Sequence, residues 1–129
     1  MSVNVDIQNL RTRPVGTNGP NQFLQTGIES LAISSGIRVD ALIINGVRHG
    51  GPGGSVGEVL EFEADEYINR IEVNSGTVLD RLEITTNKGR QIEGGGTGGS
   101  RTNVRGMIVS LGGTYGNVMN SINIEGVFE

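Results

Sequence analysis

Cysteine and tryptophan are absent from this chain of 129 residues, and histidine occurs only at position 49. Without cysteine, neither a disulfide framework nor a thiolate metal site is possible. A lone histidine also argues against a histidine-based metal site or a catalytic triad. We therefore expect no metal, no cofactor and no catalysis, and we interpret His49 as a surface loop residue.

Excess positive charge and long apolar runs are lacking as well. The net charge of −4 argues against the clustered lysine and arginine that mark a nucleic-acid or anionic-lipid surface. No apolar run approaches a membrane span, and the N-terminus lacks the cationic start and apolar core of a secretory signal. We expect a soluble protein without membrane insertion, with its localisation left open between the cytoplasm and export by a non-signal route.

Glycine is the residue in excess: 22 glycines against three prolines suggest tight turns and close backbone contacts. Some of the glycines are each followed, four positions later, by an aspartate or asparagine. Three such pairs recur at a period of 40 residues: Gly36 with Asp40, Gly76 with Asp80, and Gly116 with Asn120. Apolar residues repeat at matching positions on both sides. Agreement at several positions in three copies indicates an internal repeat.

The segments around these glycines have the pattern of strands. Apolar and β-branched residues fill segments 28–34, 39–44, 59–64, 68–74, 79–86, 104–111 and 119–128. Nowhere do apolar residues hold a helical spacing over three turns. A further strand is predicted at Val3, Val5 and Ile7. Segments 11–22, 46–57 and 87–103 are interpreted as loops.

The chain is predicted to be one all-β domain over residues 1–129, and the spacing of its strands indicates a sandwich, a barrel or a prism. Its repeats lie at about 28–67, 68–107 and 108–129, which favours three sheets around a pseudo-threefold axis. Because the last copy is short, we expect residues 1–27 to complete it by pairing with the final strands. That pairing can be within one chain or by exchange with a second chain.

A second repeated feature is a glycine-rich loop, at 50–54 and 95–99, with a weaker version at 16–20. A loop without side chains lets a ligand approach the backbone, whose N–H groups can donate. Asp40 shares a parity with Leu42 and Ile44, which puts its carboxylate at the end of a half-buried strand. A carboxylate opposite such a loop can accept hydrogen bonds from two vicinal hydroxyls, an arrangement that suits a hexopyranose.

The order of these motifs resembles the jacalin-related lectins. The resemblance is carried by residues 36–45 followed by 50–54, and by residues 75–80 followed by 86–90 and 95–100. It implies a type I β-prism of three antiparallel four-stranded sheets that binds mannose-type glycans without a metal. One high-mannose-binding member of the family forms a homodimer that exchanges its first strands. The resemblance to that member implies the same kind of homodimer for this chain.

Carried over position by position, the resemblance implies two carbohydrate-binding sites. Each joins the motif aspartate, backbone amides just before it and the last glycine of a loop. The first site consists of Gly36, Ile37, Arg38, Asp40 and Gly54, and the second of Gly76, Thr77, Val78, Asp80 and Gly99.

The third copy departs from this pattern in both halves. Asn120 replaces the carboxylate, and Pro20, which follows Gly19, takes the place of the donating glycine although it has no N–H. The turn of this copy consists of Gly116, Asn117 and Val118. We predict that it is a degenerate site that does not bind sugar in the mannose-lectin manner.

The two remaining sites also lack one feature of the family. The high-mannose-binding member has a tyrosine that packs on the sugar two residues before each aspartate, where this chain has Arg38, Val78 and Val118. Losing an aromatic contact of this kind removes about 1 kcal/mol or more per site. Weaker affinity or a different sugar preference is the expected consequence.

Other interpretations stay open. The aspartates can be plain turn residues, and the glycine loops can be ordinary hairpin connections. The chain would then be a β-prism structural or interaction module, for example a toxin accessory domain, without sugar binding. A glycosidase is a weaker alternative, because the acidic residues between Glu58 and Glu66 are interpreted as a solvated face and not as a catalytic pair.

Overall fold

The computed structural model describes residues 9–129, so the predicted strand at Val3, Val5 and Ile7 lies outside the described part. The described residues form twelve strands and no α-helix, which confirms the all-β class. None of them belongs to a helix that could cross a membrane. The strands are β1 Arg11–Gly16, β2 Asn21–Gln25, β3 Ser30–Ser35, β4 Val39–Ile44, β5 Val47–Gly50, β6 Ser55–Val56, β7 Leu60–Glu61, β8 Ile68–Ser75, β9 Leu79–Thr86, β10 Gln91–Gly95, β11 Ser100–Tyr115 and β12 Met119–Phe128.

Three hairpins carry the repeated motif: β3–β4, β8–β9 and β11–β12. Each hairpin turns at the motif glycine, whose backbone N–H donates to the carbonyl two residues later. The three bonds run from Gly36 to Arg38, from Gly76 to Val78 and from Gly116 to Val118, each at 3.0 Å. The same short sequence pattern therefore folds into the same turn three times.

Behind each turn, matching apolar residues fill one core. The residues directly before the two aspartates and Asn120 are fully buried at 0% exposure: Val39, Leu79 and Met119. The other apolar positions of the repeat at 0% exposure are Leu31, Leu42, Ile44, Ile71, Leu82, Ile84, Leu111, Ile122 and Ile124. Burying one such side chain contributes about 1.5–3 kcal/mol. The core therefore anchors the start of each strand that follows a turn.

The hydrogen-bonded strands form two sheets, not the three four-stranded sheets that the resemblance implies. One has seven strands, in the order β1-β12-β11-β8-β9-β10 with β2 also paired to β11, and the other has five, in the order β5-β4-β3-β6 with β7 also paired to β3. The cause is β11, which is 16 residues long. Its residues 100–105 pair with β8, and its residues from Gly106 onward pair with β12. Because one continuous strand serves both groups, they merge into one sheet.

The interpretation of residues 11–22 as a loop is wrong. This segment contains β1 and the start of β2, which pair with β12 and β11. Pro14 fits in β1 because, among the described strands, β1 lies at the edge of its sheet, where alternate N–H groups point away from the ladder.

The two longer predicted loops also contain strands. Residues 46–57 include β5 and β6, residues 87–103 include β10 and the start of β11, and the strand predicted at 59–64 shrinks to β7. The strands in these two segments were interpreted as loops because they contain or adjoin glycine. Gly95 ends β10 at a φ of +106°, and a side chain there would collide with the carbonyl of Asp80. The glycine is therefore what allows the strand to pass so close to its neighbour.

Candidate functional site

A β-bulge sets the direction of each motif side chain. In the first hairpin Ser34 pairs with Ala41 and Ser35 with Val39, so Asp40 is the extra, unpaired residue. The register skips Asp80 and Asn120 in the same way. A bulge re-aims a side chain and interrupts the alternation of faces. The parity expected for Asp40 therefore breaks: Val39 is buried in the core, and Asp40 is half-buried at the end of the sheet.

The structure brings Asp40 and Gly54 together. A methyl group placed on Gly54 would lie 2.5 Å from Oδ2 of Asp40, and one placed on Gly53 would lie 2.9 Å from Oδ1. The backbone of the loop is also fixed to the bulge, because the N–H of Gly51 donates to the carbonyl of Asp40 at 2.9 Å. The carboxylate therefore lies against a surface that is backbone alone.

The second copy has the same arrangement. A methyl group on Gly99 would lie 2.6 Å from Oδ2 of Asp80, and one on Gly98 would lie 2.9 Å from Oδ1. The N–H of Gly96 donates to the carbonyl of Asp80 at 2.8 Å. The two copies match at every one of these contacts.

Neither aspartate uses its carboxylate to hold the fold. Within residues 9–129, neither side chain has a hydrogen-bond or ion-pair partner. Both are half-buried, and neither carboxylate has an oxygen that is closed off from solvent. An acceptor group that is left unpaired beside a glycine loop is available to a hydroxyl-bearing ligand.

The turns in front of the two aspartates are open. Gly36, Ile37 and Arg38 are exposed, and Ile37 reaches 79% exposure, as large as any apolar side chain that the structure describes. Gly76 and Thr77 are exposed as well, while Val78 is half-buried. A methyl group on Gly36 or on Gly76 would meet no atom of residues 9–129 within 4 Å. A ligand therefore has access to both turns.

The third copy is closed where the other two are open. The ring of Pro20 lies across the turn, and a methyl group on Gly116 would be 3.5 Å from its Cγ and Cδ atoms. Gly19 packs against the amide of Asn120, whose Oδ1 is buried without a partner and whose Nδ2 donates to the carbonyl of Thr77 at 3.2 Å. The third turn is therefore partly covered by the 16–20 loop, unlike the first two turns.

The three copies meet in a cycle at one end of the protein. The 50–54 loop lies against the third turn at Asn117, and the 95–99 loop lies against the first turn at Ile37. The 16–20 loop reaches the second turn, where the Thr17 hydroxyl donates to the carbonyl of Gly76 at 2.9 Å. The two aspartate sites are thus neighbours on one surface.

Two residues that the sequence assigned to the surface are placed differently. His49 lies in β5, stacked on Phe23 at 4.5 Å between ring centroids and bonded to the Gln25 side chain at 3.0 Å. It is half-buried, and burial lowers its pKa. Among the described residues, no cluster of three or more histidine, aspartate or glutamate side chains could hold a metal ion.

Glu66 is the second of these residues: it is fully buried and not part of a solvated face. Its carboxylate accepts hydrogen bonds from the Arg90 guanidinium, from the Thr86 hydroxyl at 2.6 Å and from the Glu63 backbone at 2.8 Å. The bond from Arg90 is the main cause that lowers its pKa from 4.5 to about 2. Thr86 ends β9, whereas Asp80 lies at the start of the same strand, so this network is at the opposite end of β9 from the second turn.

Three features were not predicted from the sequence: the bulge, the glycine that precedes the predicted one in each loop, and the contacts between copies. Gly53 and Gly98 also lie against their carboxylates, at distances only slightly longer than those of the predicted Gly54 and Gly99. The doubled glycine in both loops is the signal that could have identified them. Neither the bulge nor the cycle of contacts between copies can be recognised from the sequence of one repeat, because both depend on how the three repeats pack.

Comparison with known proteins gives three results. A family model described as the jacalin-like lectin domain matches residues 12–125. Griffithsin from a Griffithsia species is 34% identical over 117 residues, which cover 89% of this chain and 95% of griffithsin. Among solved structures, Calsepa lectin in complex with bisected glycan has a TM-score of 0.76 at 25% identity, covering 91% of this chain and 95% of that chain.

A second solved structure agrees with these results. AcmJRL, a mannose-binding jacalin-related lectin from Ananas comosus, has a TM-score of 0.75 at 23% identity and covers 94% of this chain and 99% of its own. The family model spans nearly all of the described strands, including the three turns and the three glycine loops. The chain belongs to the jacalin-like lectin family.

Proposed function

We propose that this protein binds mannose-type glycans through two sites, one at Asp40 and one at Asp80, without a metal and without catalysis. One observation carries the proposal: in both copies an unpaired carboxylate faces a glycine pair beside an open turn. The carboxylate accepts from two vicinal hydroxyls of the sugar. The turn amides, of Ile37 and Arg38 or of Thr77 and Val78, donate to the same oxygens.

The choice of mannose draws support from the solved relatives. One is described as a mannose-binding lectin, and another, artocarpin, was solved as a complex with mannotriose. Neither exceeds 25% identity to this chain, so both inform the choice of ligand to test and not the details of the contacts.

Two sites on one surface favour branched glycans over single sugars. When one arm of a glycan is bound, the second site meets the other arm at a raised effective concentration, which increases avidity by about 10²–10⁴. We also propose a homodimer, with exchange of the first strands as one form of it. The three repeats of about 28–67, 68–107 and 108–129 completed by 1–27 are our division of the single domain.

The second candidate is a structural or interaction module without sugar binding. It is favoured by the residues that stand where an aromatic platform is found in griffithsin, Arg38 and Val78, and by the closed third copy. In a module of this kind the turns would have only a structural role.

A glycan-array screen of the wild type beside the Asp40→Ala/Asp80→Ala double variant separates the two candidates. Signal on mannose-rich glycans that the double variant loses supports the lectin. No signal for the wild type at high protein concentration supports the module. Release of product from any glycan would instead restore the glycosidase alternative.

A further inference from the structure

The 16–20 loop and the second turn are joined by two side-chain hydrogen bonds. Thr17 Oγ1 donates to the carbonyl of Gly76 at 2.9 Å, and Asn120 Nδ2 donates to the carbonyl of Thr77 at 3.2 Å. Both donors belong to the third copy, and both acceptors belong to the turn of the second site. The degenerate copy is therefore in contact with the part of the second site that supplies backbone donors.

Thr17 is the third-copy counterpart of two glycines. The backbone N–H of Thr17 donates to the Asn120 carbonyl at 3.2 Å, just as Gly51 and Gly96 donate to the carbonyls of Asp40 and Asp80. In those copies the neighbouring turn leaves no room for a side chain, since a methyl group on Gly96 would lie 2.5 Å from the carbonyl oxygen of Ile37. Only in the third copy does a hydroxyl fit there and reach the turn.

Asn120 adds a second difference. The amide of asparagine can donate a hydrogen bond to a carbonyl oxygen, whereas the carboxylate of aspartate at the same position can only accept. The replacement that removes the carboxylate from the third copy is thus the one that makes the bond to Thr77 possible. The Asn120 Nδ2 atom is committed to this bond, and its Oδ1 is buried.

We propose that Thr17 and Asn120 are positioning residues for the second site: they fix the carbonyls of Gly76 and Thr77 and thereby the adjacent amides of Thr77 and Val78 that face the sugar. A peptide group is planar, so holding the carbonyl of one residue also orients the N–H of the next. The carbonyl of Gly76 belongs to the same peptide as the N–H of Thr77, and the carbonyl of Thr77 to the same peptide as the N–H of Val78. The second site is therefore preorganised by side chains that never touch the ligand.

This inference rests on the proposed function, and its test separates the two. The variants are Thr17→Val, which keeps the shape and removes the hydroxyl, and Asn120→Ala, with Thr17→Ser as the conservative variant that keeps a hydroxyl. Each is titrated with methyl α-D-mannopyranoside and followed by the amide signals of Thr77 and Val78 for the second site. The signals of Ile37 and Arg38 report the first site in the same sample.

The first two variants are expected to weaken the second site about two- to fivefold each, the usual net effect of one hydrogen bond, and to leave the first site unchanged. Thr17→Ser is expected to retain wild-type affinity at both sites. Equal weakening of both sites would indicate general destabilisation and overturn the proposal, as would unchanged affinity at the second site.

A second measurement needs no sugar. Backbone ¹⁵N order parameters of Thr77 and Val78 in the free protein should fall in Thr17→Val and Asn120→Ala, while those of Ile37 and Arg38 stay constant. Unchanged order at residues 77–78 would overturn the positioning role. If the wild type shows no sugar-dependent shifts at either site, the proposed function fails, and the order parameters still decide whether these two residues hold the turn.

Discussion

The two aspartate copies and the third copy share one backbone and differ in what that backbone presents. All three have the turn bond at 3.0 Å, the bulge and the hydrogen bond from loop to bulge. Only the first two leave a carboxylate unpaired beside an open turn. In the third copy Pro20 covers the turn, and Asn120 donates a hydrogen bond to the turn of the second copy.

This difference distinguishes the residues that the fold requires from those that sugar binding would require. The turns persist in the third copy because the core residue before Asn120 is buried as fully as its counterparts. The side chain at the bulge is free to change because it contributes nothing to that core. The side chain at the bulge can therefore differ between copies while the backbone of the turn stays the same.

The largest effect is expected from giving the first two copies the side chain of the third. The Asp40→Asn/Asp80→Asn variant should lose binding to a mannose-rich glycan surface by about 100-fold, because two charge-assisted acceptors and the avidity between them are removed together. Surface plasmon resonance on immobilised high-mannose glycoprotein measures this.

The matched control for this variant is Asp65→Asn, which changes an exposed aspartate outside the binding turns. Asp65 has a φ of 61°, a conformation that asparagine adopts readily. Wild-type binding is expected for the control. Retained binding in the double variant would mean that the carboxylates are turn residues only.

The next effect concerns stability and not binding. Glu66→Gln should lower the free energy of unfolding at pH 7 by about 2 kcal/mol, since it removes the charge of a buried carboxylate that is paired with the partly exposed Arg90. Sugar affinity should not change, because the network lies away from the turns. Urea unfolding and a mannoside titration of the same sample test both statements, with exposed Glu61→Gln as the control.

The contribution of Glu66 should also depend on pH. Its pKa is lowered from 4.5 to about 2, so its stabilisation is complete above pH 4.5 and is lost as the pH falls toward 2. The difference in unfolding free energy between the wild type and Glu66→Gln is therefore expected to shrink between these values. A difference that grows on acidification would mean that the ion pair does not stabilise the fold.

A smaller effect is expected from a single methyl group in the glycine pair. Gly54→Ala places a methyl 2.5 Å from Oδ2 of Asp40 at a φ of +80°, which should cost about 1–2 kcal/mol of stability and disable the first site alone. Thermal unfolding and the Ile37 amide shift under mannoside report the two consequences. Gly57→Ala is the control, because a methyl there would meet only an ordinary contact at 3.6 Å.

The smallest effect is a gain. Val78→Tyr restores an aromatic side chain beside the second site and should strengthen mannoside binding there by about fivefold, corresponding to about 1 kcal/mol of aromatic contact. Isothermal titration calorimetry in an Asp40→Asn background isolates that site. An unchanged affinity would indicate that a ring at position 78 does not reach the sugar.

The sequence predicted the features that are local and periodic. The repeat at 40 residues located the turns, and the apolar positions around Leu42, Leu82 and Ile122 are buried as that repeat requires. The pairing of Asp40 with Gly54 and of Asp80 with Gly99 was implied by the resemblance to the jacalin-related lectins, and the structure places the members of each pair close together.

What the sequence could not give depends on packing between distant segments. Strands β1 and β10 contain proline or glycine, and their partners β12 and β9 determine that they are strands. The length of β11, which merges two groups of strands, follows from pairing on both of its sides. Glu66 looked like one charge in an acidic run, and only the position of Arg90, 24 residues later, allows its burial.

The most direct test of two metal-free sites is a calorimetric titration of the wild type with methyl α-D-mannopyranoside in buffer containing EDTA. We predict two binding sites per chain, falling to one in Asp40→Asn and to one in Asp80→Asn. Absence of binding heat, a third site, or recovery of binding only when a divalent cation is added would contradict the account.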